Sequence, residues 1–160
     1  MALRRHATSK ITNLNDLETV ATMGFRGEAL AAIASVSEMA LLSRPAAQAS
    51  AFLLDARSGE LSPAARSTGT TVEVKELFFS TPARRKFLKT DATELAHCIE
   101  SVRRHALARP DVGFAIWHEG KLVEQWRATF VPGQSDAQDA HDALARRLSD
   151  VLGEDCLLYT

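Results

Sequence analysis

The segment GFRGEAL at residues 24–30 places two glycines on either side of an arginine and leads into a predicted helix. Glycine lets a backbone approach a ligand closely because it carries no Cβ. The first N–H groups of a helix have no partner inside the helix and carry partial positive charge. This segment therefore suits an anion such as a di- or triphosphate. A tight corner between two helices would explain the glycines equally well.

Two other short segments could meet the same kind of ligand. Thr8, Ser9 and Lys10 offer hydroxyl and ammonium donors that suit phosphate oxygens. The alternative is an exposed polar stretch that leads into a helix. Gly69 and Thr70 stand at the entry to an alternating strand, where a hydroxyl could bind a base or a water molecule. The alternative there is the ordinary preference of threonine for strands.

Positive charge is concentrated in one part of a nearly neutral chain. The whole sequence has 19 basic and 20 acidic residues, whereas residues 84–109 contain seven basic and three acidic ones. Arg84, Arg85 and Lys86 could contact the phosphates of DNA, or they could form a solvated helix face. Because Phe87 is the only aromatic residue in this stretch, no stacking platform for single strands is predicted.

The sequence gives little support for a catalytic nucleophile or a metal site. The five histidines form no HxxxH pair, Cys98 and Cys156 lie far apart, and no GxSxG elbow occurs. We therefore assign no catalytic residue and no metal ligand, and interpret Glu28 as a cap partner compatible with the helix dipole rather than as a base. No apolar run is long enough to span a membrane, so we expect a cytoplasmic location.

The elements that must position these residues follow from periodicity and capping signals. Asn15 is predicted to cap a helix over 16–23 with Glu18 at N3, and a second helix follows Glu28. Strands are predicted at 38–44, 50–55 and 70–79, with Val72 and Val74 pointing inward. Further along, we predict a helix from Pro82 to about 88, a helix at 91–108, a hairpin at 112–127 and a helix at 138–149. Antiparallel strands with helices on one face favour a two-layer α+β sandwich.

Taken in order, three strings carry a family resemblance: RHATSKI at 5–11, GFRGEALAAIASVS at 24–37 and GTTVEVKELFFSTPARRKFLK at 69–89. They resemble the MutL family of DNA mismatch repair proteins, in its bacterial branch. The resemblance implies a GHKL-type (Bergerat) ATPase sandwich. Residues 1–130 would be a partial ATP-binding domain, 131–137 a linker, and 138–160 the beginning of a transducer-like domain.

The resemblance also implies a nucleotide site that binds ATP with Mg²⁺. Thr8, Ser9 and Lys10 would lie at the end of the nucleotide lid, near the phosphates. The backbone of residues 24–30 would wrap the triphosphate, and Gly69 and Thr70 would lie on the adenine side. The residues so implied are Thr8, Ser9, Lys10, Gly24, Phe25, Arg26, Gly27, Glu28, Ala29, Leu30, Gly69 and Thr70.

Two strings of the family do not occur in this sequence. The catalytic Glu and the magnesium-binding Asn belong to an ELVEN-like string, and a DxGxG-like string holds adenine. We therefore expect the chain to be part of a longer protein and not to hydrolyse ATP alone. The family role implies DNA, a mismatch-recognition protein, downstream nicking and unwinding factors, and a second copy of the protein as partners, near the nucleoid and not at a membrane. The alternative is a non-catalytic module for DNA or protein binding on the same fold.

Overall fold

The computed structural model describes residues 3, 4, 6–8, 10–20, 24, 26–130 and 137–153, except the side chains of 137, 138 and 140. The chain divides into two compact units, Met1–Leu88 and Lys89–Thr160. The first unit contains α1 (Leu14–Glu18), α2 (Ala29–Ala34), β1 (Glu38–Arg44), β2 (Ala51–Asp55), β3 (Leu61–Ala64), β4 (Gly69–Lys75) and α3 (Pro82–Arg85). The second contains α4 (Asp91–Ala108), β5 (Phe114–His118), β6 (Lys121–Trp126) and α5 (Ala137–Leu152).

The first unit is built on an antiparallel sheet in the order β3-β2-β1-β4, and α2 contacts β1. β1 is the strand predicted at 38–44, with the same bounds. It is central, and Met39 and Leu41 are buried on one of its faces. Leu41 pairs with Leu54 on one side and with Val72 on the other, so this apolar face continues across the strands. The observed α+β fold agrees with the predicted class.

The prediction that Val72 and Val74 point into a core is wrong for this chain. Their register opposite Leu41 and Met39 puts them on the predicted apolar face. However, their exposures are 48% and 42%. The reason is their position on the edge strand β4, since an edge strand has a neighbour on one side only.

The sequence analysis missed β3 because Pro63 lies within it. Proline has no N–H to donate and is confined to edge strands, which is where β3 lies. The Asp55 N–H donates to the Glu60 carbonyl at 3.0 Å. Along an antiparallel strand, residues that bond to the neighbouring strand alternate with residues that do not. Pro63 is three residues after Glu60, so its nitrogen faces away from β2. The proline therefore costs the sheet no hydrogen bond.

The predicted cap of α1 is wrong by two residues. Asn13 caps the helix, because its side chain accepts from the Asp16 N–H at 3.0 Å. The Asp16 carboxylate accepts in return from the Asn13 N–H and from the Thr12 hydroxyl, at 3.3 and 2.7 Å. These bonds, the Thr12 hydroxyl first, hold the pKa of Asp16 below its usual range. The predicted end of the helix at 23 is also wrong, because α1 ends at Glu18 with Thr19 as its C-cap.

The second unit contains the helix predicted at 91–108 and the predicted hairpin. Glu119 and Gly120 form the turn with φ of +49° and +76°, as a tight two-residue hairpin loop requires. Ala106, Trp126 and Val151 form a buried cluster at which α4, β6 and α5 meet. Residues 131–136 of the predicted linker lie outside the described part of the chain, so the proposed domain ranges stay a prediction.

Arg147 lies at the centre of the second unit and is fully buried. One guanidinium nitrogen, Nη2, donates to the carbonyls of Val112 and Arg127 at 2.7 Å each and of Pro110 at 3.3 Å. The guanidinium also lies 5.9 Å from the centre of the Phe114 ring. Burial lowers the pKa of Arg147, since desolvation disfavours the charged form. The hydrogen bonds of this one side chain connect α5 to the loop before β5 and to the end of β6.

Replacement of Arg147 with alanine is expected to destabilise the second unit by about 3 kcal/mol, because buried carbonyls lose their donor and a cavity remains. Both tryptophans, Trp117 and Trp126, lie in this unit, so their fluorescence in a denaturant titration reports its unfolding. The exposed neighbour Arg146 gives a matched control, R146A, which we expect to be neutral. Equal loss of stability in the two variants would contradict this role of Arg147.

Candidate functional site

The candidate site begins where the backbones of two predicted segments touch. Gly27 adopts φ of +68° in the turn before α2. A Cβ at this position would lie 2.7 Å from the carbonyl carbon of Ala7 and 2.9 Å from its nitrogen. These distances are too short for any real Cβ contact, so only glycine fits. The segment around Ala7 therefore lies directly on the glycine turn, as a phosphate-binding arrangement of the two segments requires.

A carboxylate joins the same two segments at their surface. Glu28 Oε1 lies 3.0 Å from His6 Nδ1, and its Oε2 lies 3.0 Å from Arg26 Nε. The Glu28 side chain makes no capping hydrogen bond to α2, so its interpretation as a cap partner is wrong. Ala29 and Leu30 begin the helix directly after it. The carboxylate therefore leaves the first N–H groups of α2 without a side-chain acceptor from Glu28.

Thr8 and Lys10 extend from this contact. The backbone N–H of Lys10 donates to Thr8 Oγ1 at 3.1 Å, which leaves the threonine hydroxyl proton free to donate. Thr8 is half-buried and Lys10 is exposed. Ser9 and Phe25, which the sequence also predicts at this site, lie outside the described residues.

Gly69 and Thr70 lie at the end of β1 opposite to the end that follows α2. They pair with Arg44 and Ser43, and the Thr70 hydroxyl is 2.8 Å from the Ser43 hydroxyl. Gly69 has φ of +132°, and a Cβ there would lie 3.3 Å from the Arg66 guanidinium. The contacts described for this pair lie within the sheet, and its predicted place beside a nucleotide stays a prediction.

The sequence analysis assigned no role to His6, Ser43 or Arg66. His6 completes the contact to Glu28, Ser43 holds Thr70, and Arg66 donates to the Leu42 carbonyl at 3.0 Å. His6 also adopts φ of +62°, which is uncommon outside glycine. No local pattern could have indicated these roles, because each depends on a partner that is distant in sequence.

The donors at this site fit an anionic phosphate and not a magnesium ion. Lys10 and the Thr8 hydroxyl offer positive charge and a donor, and the Glu28 charge is offset by Arg26. Magnesium prefers carboxylate oxygens and water as ligands. In the described part of the chain, no three His, Cys, Asp or Glu side chains cluster to hold a metal ion.

The predicted DNA-contacting residues follow the sheet of the first unit. Pro82 occupies the first turn of α3, and Arg84, Arg85 and Lys86 at its end are all exposed. Among the described residues, no ion pair involves any of these three cations. By contrast, the exposed Arg104 of the second unit pairs with Glu100 at 3.2 Å. The charges of the three residues are therefore available to a partner.

Comparisons with known proteins agree with this architecture. No protein-family model matches the chain. It is 59% identical over 128 residues to the DNA mismatch repair protein MutL of Ralstonia nicotianae, which covers 80% of this chain and 20% of that protein. It is 49% identical over 159 residues to MutL of Actinobacillus pleuropneumoniae, which covers 97% and 24% respectively.

Solved structures show the same similarity. The ATPase domain of Aquifex aeolicus MutL, complexed with ADP, matches with a TM-score of 0.66 and 30% identity, over 88% of this chain and 52% of that one. The N-terminal domain of a DNA repair protein matches with a TM-score of 0.64 and 25% identity, over 95% of this chain and 43% of that one.

Fold and similarity together define an α+β domain of the GHKL ATPase class. Within this class, the chain belongs to the MutL family of DNA mismatch repair proteins. It spans about a fifth to a quarter of the length of the curated relatives that it matches, which are covered to 20% and 24%. No helix among the residues that the structure describes is long and apolar enough to cross a membrane.

Gly27→Ala is expected to separate the two segments, because its Cβ would collide with the Ala7 backbone. The Ala7 amide, which donates to the Arg4 carbonyl at 3.2 Å, should then exchange its hydrogen about tenfold faster. Gly59→Ala is the matched control. Gly59 also has positive φ, at +74°, but nothing lies within 4 Å of its Cβ position. An unchanged exchange rate at Ala7 in the Gly27 variant would contradict the inferred contact.

Proposed function

We propose that the chain binds the phosphates of ATP and belongs to a DNA mismatch repair protein that couples mismatch recognition to downstream repair factors. The backbone contact between Ala7 and Gly27 carries this proposal, because it brings Thr8 and Lys10 beside a glycine turn. The similarity to a MutL ATPase domain complexed with ADP supports it. ATP would supply the phosphate chain that these donors hold. Residues 1–130 would form the partial ATP-binding domain, 131–137 the linker, and 138–160 the start of a transducer-like domain.

We further propose that this chain alone does not hydrolyse ATP. Hydrolysis needs a general base that orients the attacking water. Glu28 is the acidic residue at the site, and both of its oxygens are engaged by His6 and Arg26. A carboxylate paired in this way positions the two segments and does not act as the general base.

Lys10→Ala is expected to weaken nucleotide binding about tenfold, since the phosphate loses a charge-assisted hydrogen bond. A fluorescent ADP analogue titrated into the chain measures the affinity, and a phosphate-release assay run alongside should remain at background. Lys121→Ala removes an exposed lysine of the second unit and should leave the affinity unchanged. Magnesium-dependent turnover, or equal effects of the two substitutions, would contradict the proposal.

We propose a second contact, between DNA phosphates and Arg84, Arg85 and Lys86. Their exposure and the absence of described ion pairs support it. This observation also favours the alternative function, a DNA-binding module that acts without nucleotide. The two functions differ in one measurable respect, because only a nucleotide-coupled protein changes its DNA affinity when nucleotide is added. A mismatch-recognition protein, nicking and unwinding factors, a second copy of the protein and a location near the nucleoid follow from the family and are proposed on that basis.

Replacement of Arg84, Arg85 and Lys86 by glutamine should weaken DNA binding most at low salt. Each phosphate contact that is lost reduces the slope of log K against log salt by about 0.7 to 0.9, so the triple variant should lose about 2 in slope. Fluorescence anisotropy of labelled DNA across a salt series measures the slope. Arg104→Gln is a control that removes one exposed but paired charge. A wild-type slope in the triple variant would exclude this surface.

A further inference from the structure

Two arginines hold their guanidinium groups side by side at one end of the sheet in the first unit. Arg44 is the last residue of β1 and pairs with Gly69 on β4. A Cβ on Gly69 would lie 3.3 Å from Arg66 Nη2, so the Arg66 guanidinium fills the space that a side chain on Gly69 would take. Side chains that stand opposite each other on paired strands have Cβ atoms about 5 Å apart. The two cations are therefore neighbours on one face of the sheet.

The protein positions both guanidinium groups without neutralising them. Arg66 Nη1 donates to the Leu42 carbonyl at 3.0 Å, and Arg44 Nη2 donates to the Thr68 hydroxyl at 3.1 Å. Arg44 Nε is buried and has no acceptor. Because the Thr68 oxygen accepts the bond from Arg44, its own proton remains available to a further acceptor. Both arginines are half-buried, so these contacts hold the two cations and the hydroxyl in fixed places.

Acidic residues are missing at this end of the sheet, both in the strands and in the two adjoining loops. The nearest acids on the paired strands, Asp55 and Glu73, both stand opposite Ala40. Ala40 is four residues from Arg44 along β1, which is about 13 Å at the rise of a strand. Salt screens exposed charges over about 8 Å, so these acids do not offset the pair. Among the described residues, no ion pair involves either arginine.

A ligand that satisfies this arrangement must carry nearly two negative charges and several oxygen acceptors on one small group. Guanidinium groups match phosphate oxygens through parallel N–H donors. A terminal phosphate has close to two charges at neutral pH and three free oxygens, which suffice for both guanidinium groups and the Thr68 hydroxyl. A carboxylate or a phosphodiester carries one charge and two free oxygens, so it would leave one of the three donor groups without an acceptor.

We propose that Arg44, Arg66 and the Thr68 hydroxyl bind a terminal phosphate group, as found in the free ion and at the end of a nucleic acid strand. The site is distinct from the proposed nucleotide contacts. Successive residues of a strand face opposite sides of the sheet. Arg44 therefore lies on the other face from Ser43, whose hydroxyl meets that of Thr70.

The test is a nuclear magnetic resonance titration of the complete, nitrogen-15-labelled chain with inorganic phosphate, with sodium chloride holding the ionic strength constant. We expect saturable shifts of the Thr68 and Gly69 amide signals. Arg44→Gln and Arg66→Gln should each weaken the apparent affinity about tenfold, because a charged hydrogen bond is lost. Arg57→Gln is the matched control and should leave the affinity unchanged, since it removes an exposed arginine of the same unit that is already in an ion pair.

Two further probes distinguish the sources of the phosphate. A thymidine dinucleotide with a 5′-phosphate and the same dinucleotide without it differ only in the terminal group. Tighter binding of the phosphorylated dinucleotide than of inorganic phosphate would assign the site to a strand end, and the reverse order would assign it to the free ion. Equal shifts with both dinucleotides would contradict the proposal, because a phosphodiester would then suffice.

The wild-type titration tests the site without any substitution. If phosphate causes no saturable shift at Thr68 and Gly69, or if both glutamine variants keep wild-type affinity, the inference fails. The nucleotide proposal is measured separately, at the Gly27 amide and in the Lys10 variant. Shifts confined to Gly27 would thus overturn this site and leave that proposal standing. Unchanged amide signals at Met39, in the buried part of β1, verify that each variant is folded.

Discussion

The backbones of Gly27 and Ala7 lie so close together that no side chain fits between them. This is a constraint on shape rather than on charge, and the candidate site depends on it. The positive φ of Gly27 turns the chain into α2, and the missing Cβ lets the segment of Thr8 and Lys10 lie on that turn. The pairs that Glu28 makes with His6 and Arg26 then add a restraint at the surface. Exposed pairs of this kind contribute little energy, so the steric fit determines the arrangement and the charges refine it.

Arginine serves opposite purposes in the two units. Arg147 is fully buried and gives its hydrogen bonds to main-chain carbonyls, so it replaces the water that a loop and a strand end would otherwise bind. Arg84 and Arg85 are exposed at the end of a four-residue helix. The cost of desolvation separates these cases, because a buried cation needs protein acceptors in place of water, which Arg147 finds at Nη2, whereas an exposed cation stays hydrated. Stability in one unit and the proposed DNA contact in the other would thus depend on the same functional group.

Local sequence signals predict the central elements well and the edges poorly. β1, α4 and the hairpin at Glu119-Gly120 are as predicted, because alternation, helical spacing and turn chemistry agree there. The predicted cap of α1 is wrong because Asn13 and Asn15 are both good caps with an acid three residues ahead, and only Asn13 and Asp16 form the reciprocal bonds. Val72 and Val74 are on the predicted face but exposed, since they lie on the edge strand β4. At the site, the glycine and hydroxyl segments are evident from residue types, whereas the role of His6 requires knowledge of its distant partner.

Because Pro63 lies in the edge strand β3, the sheet of the first unit is less able to accept a further strand on that side. The Pro63 nitrogen faces the open side of β3, so a strand added there would meet an acceptor without a donor at that position. The outer side of β4 contains no proline and keeps its full set of donors and acceptors. Sheet extension is therefore favoured on one side alone.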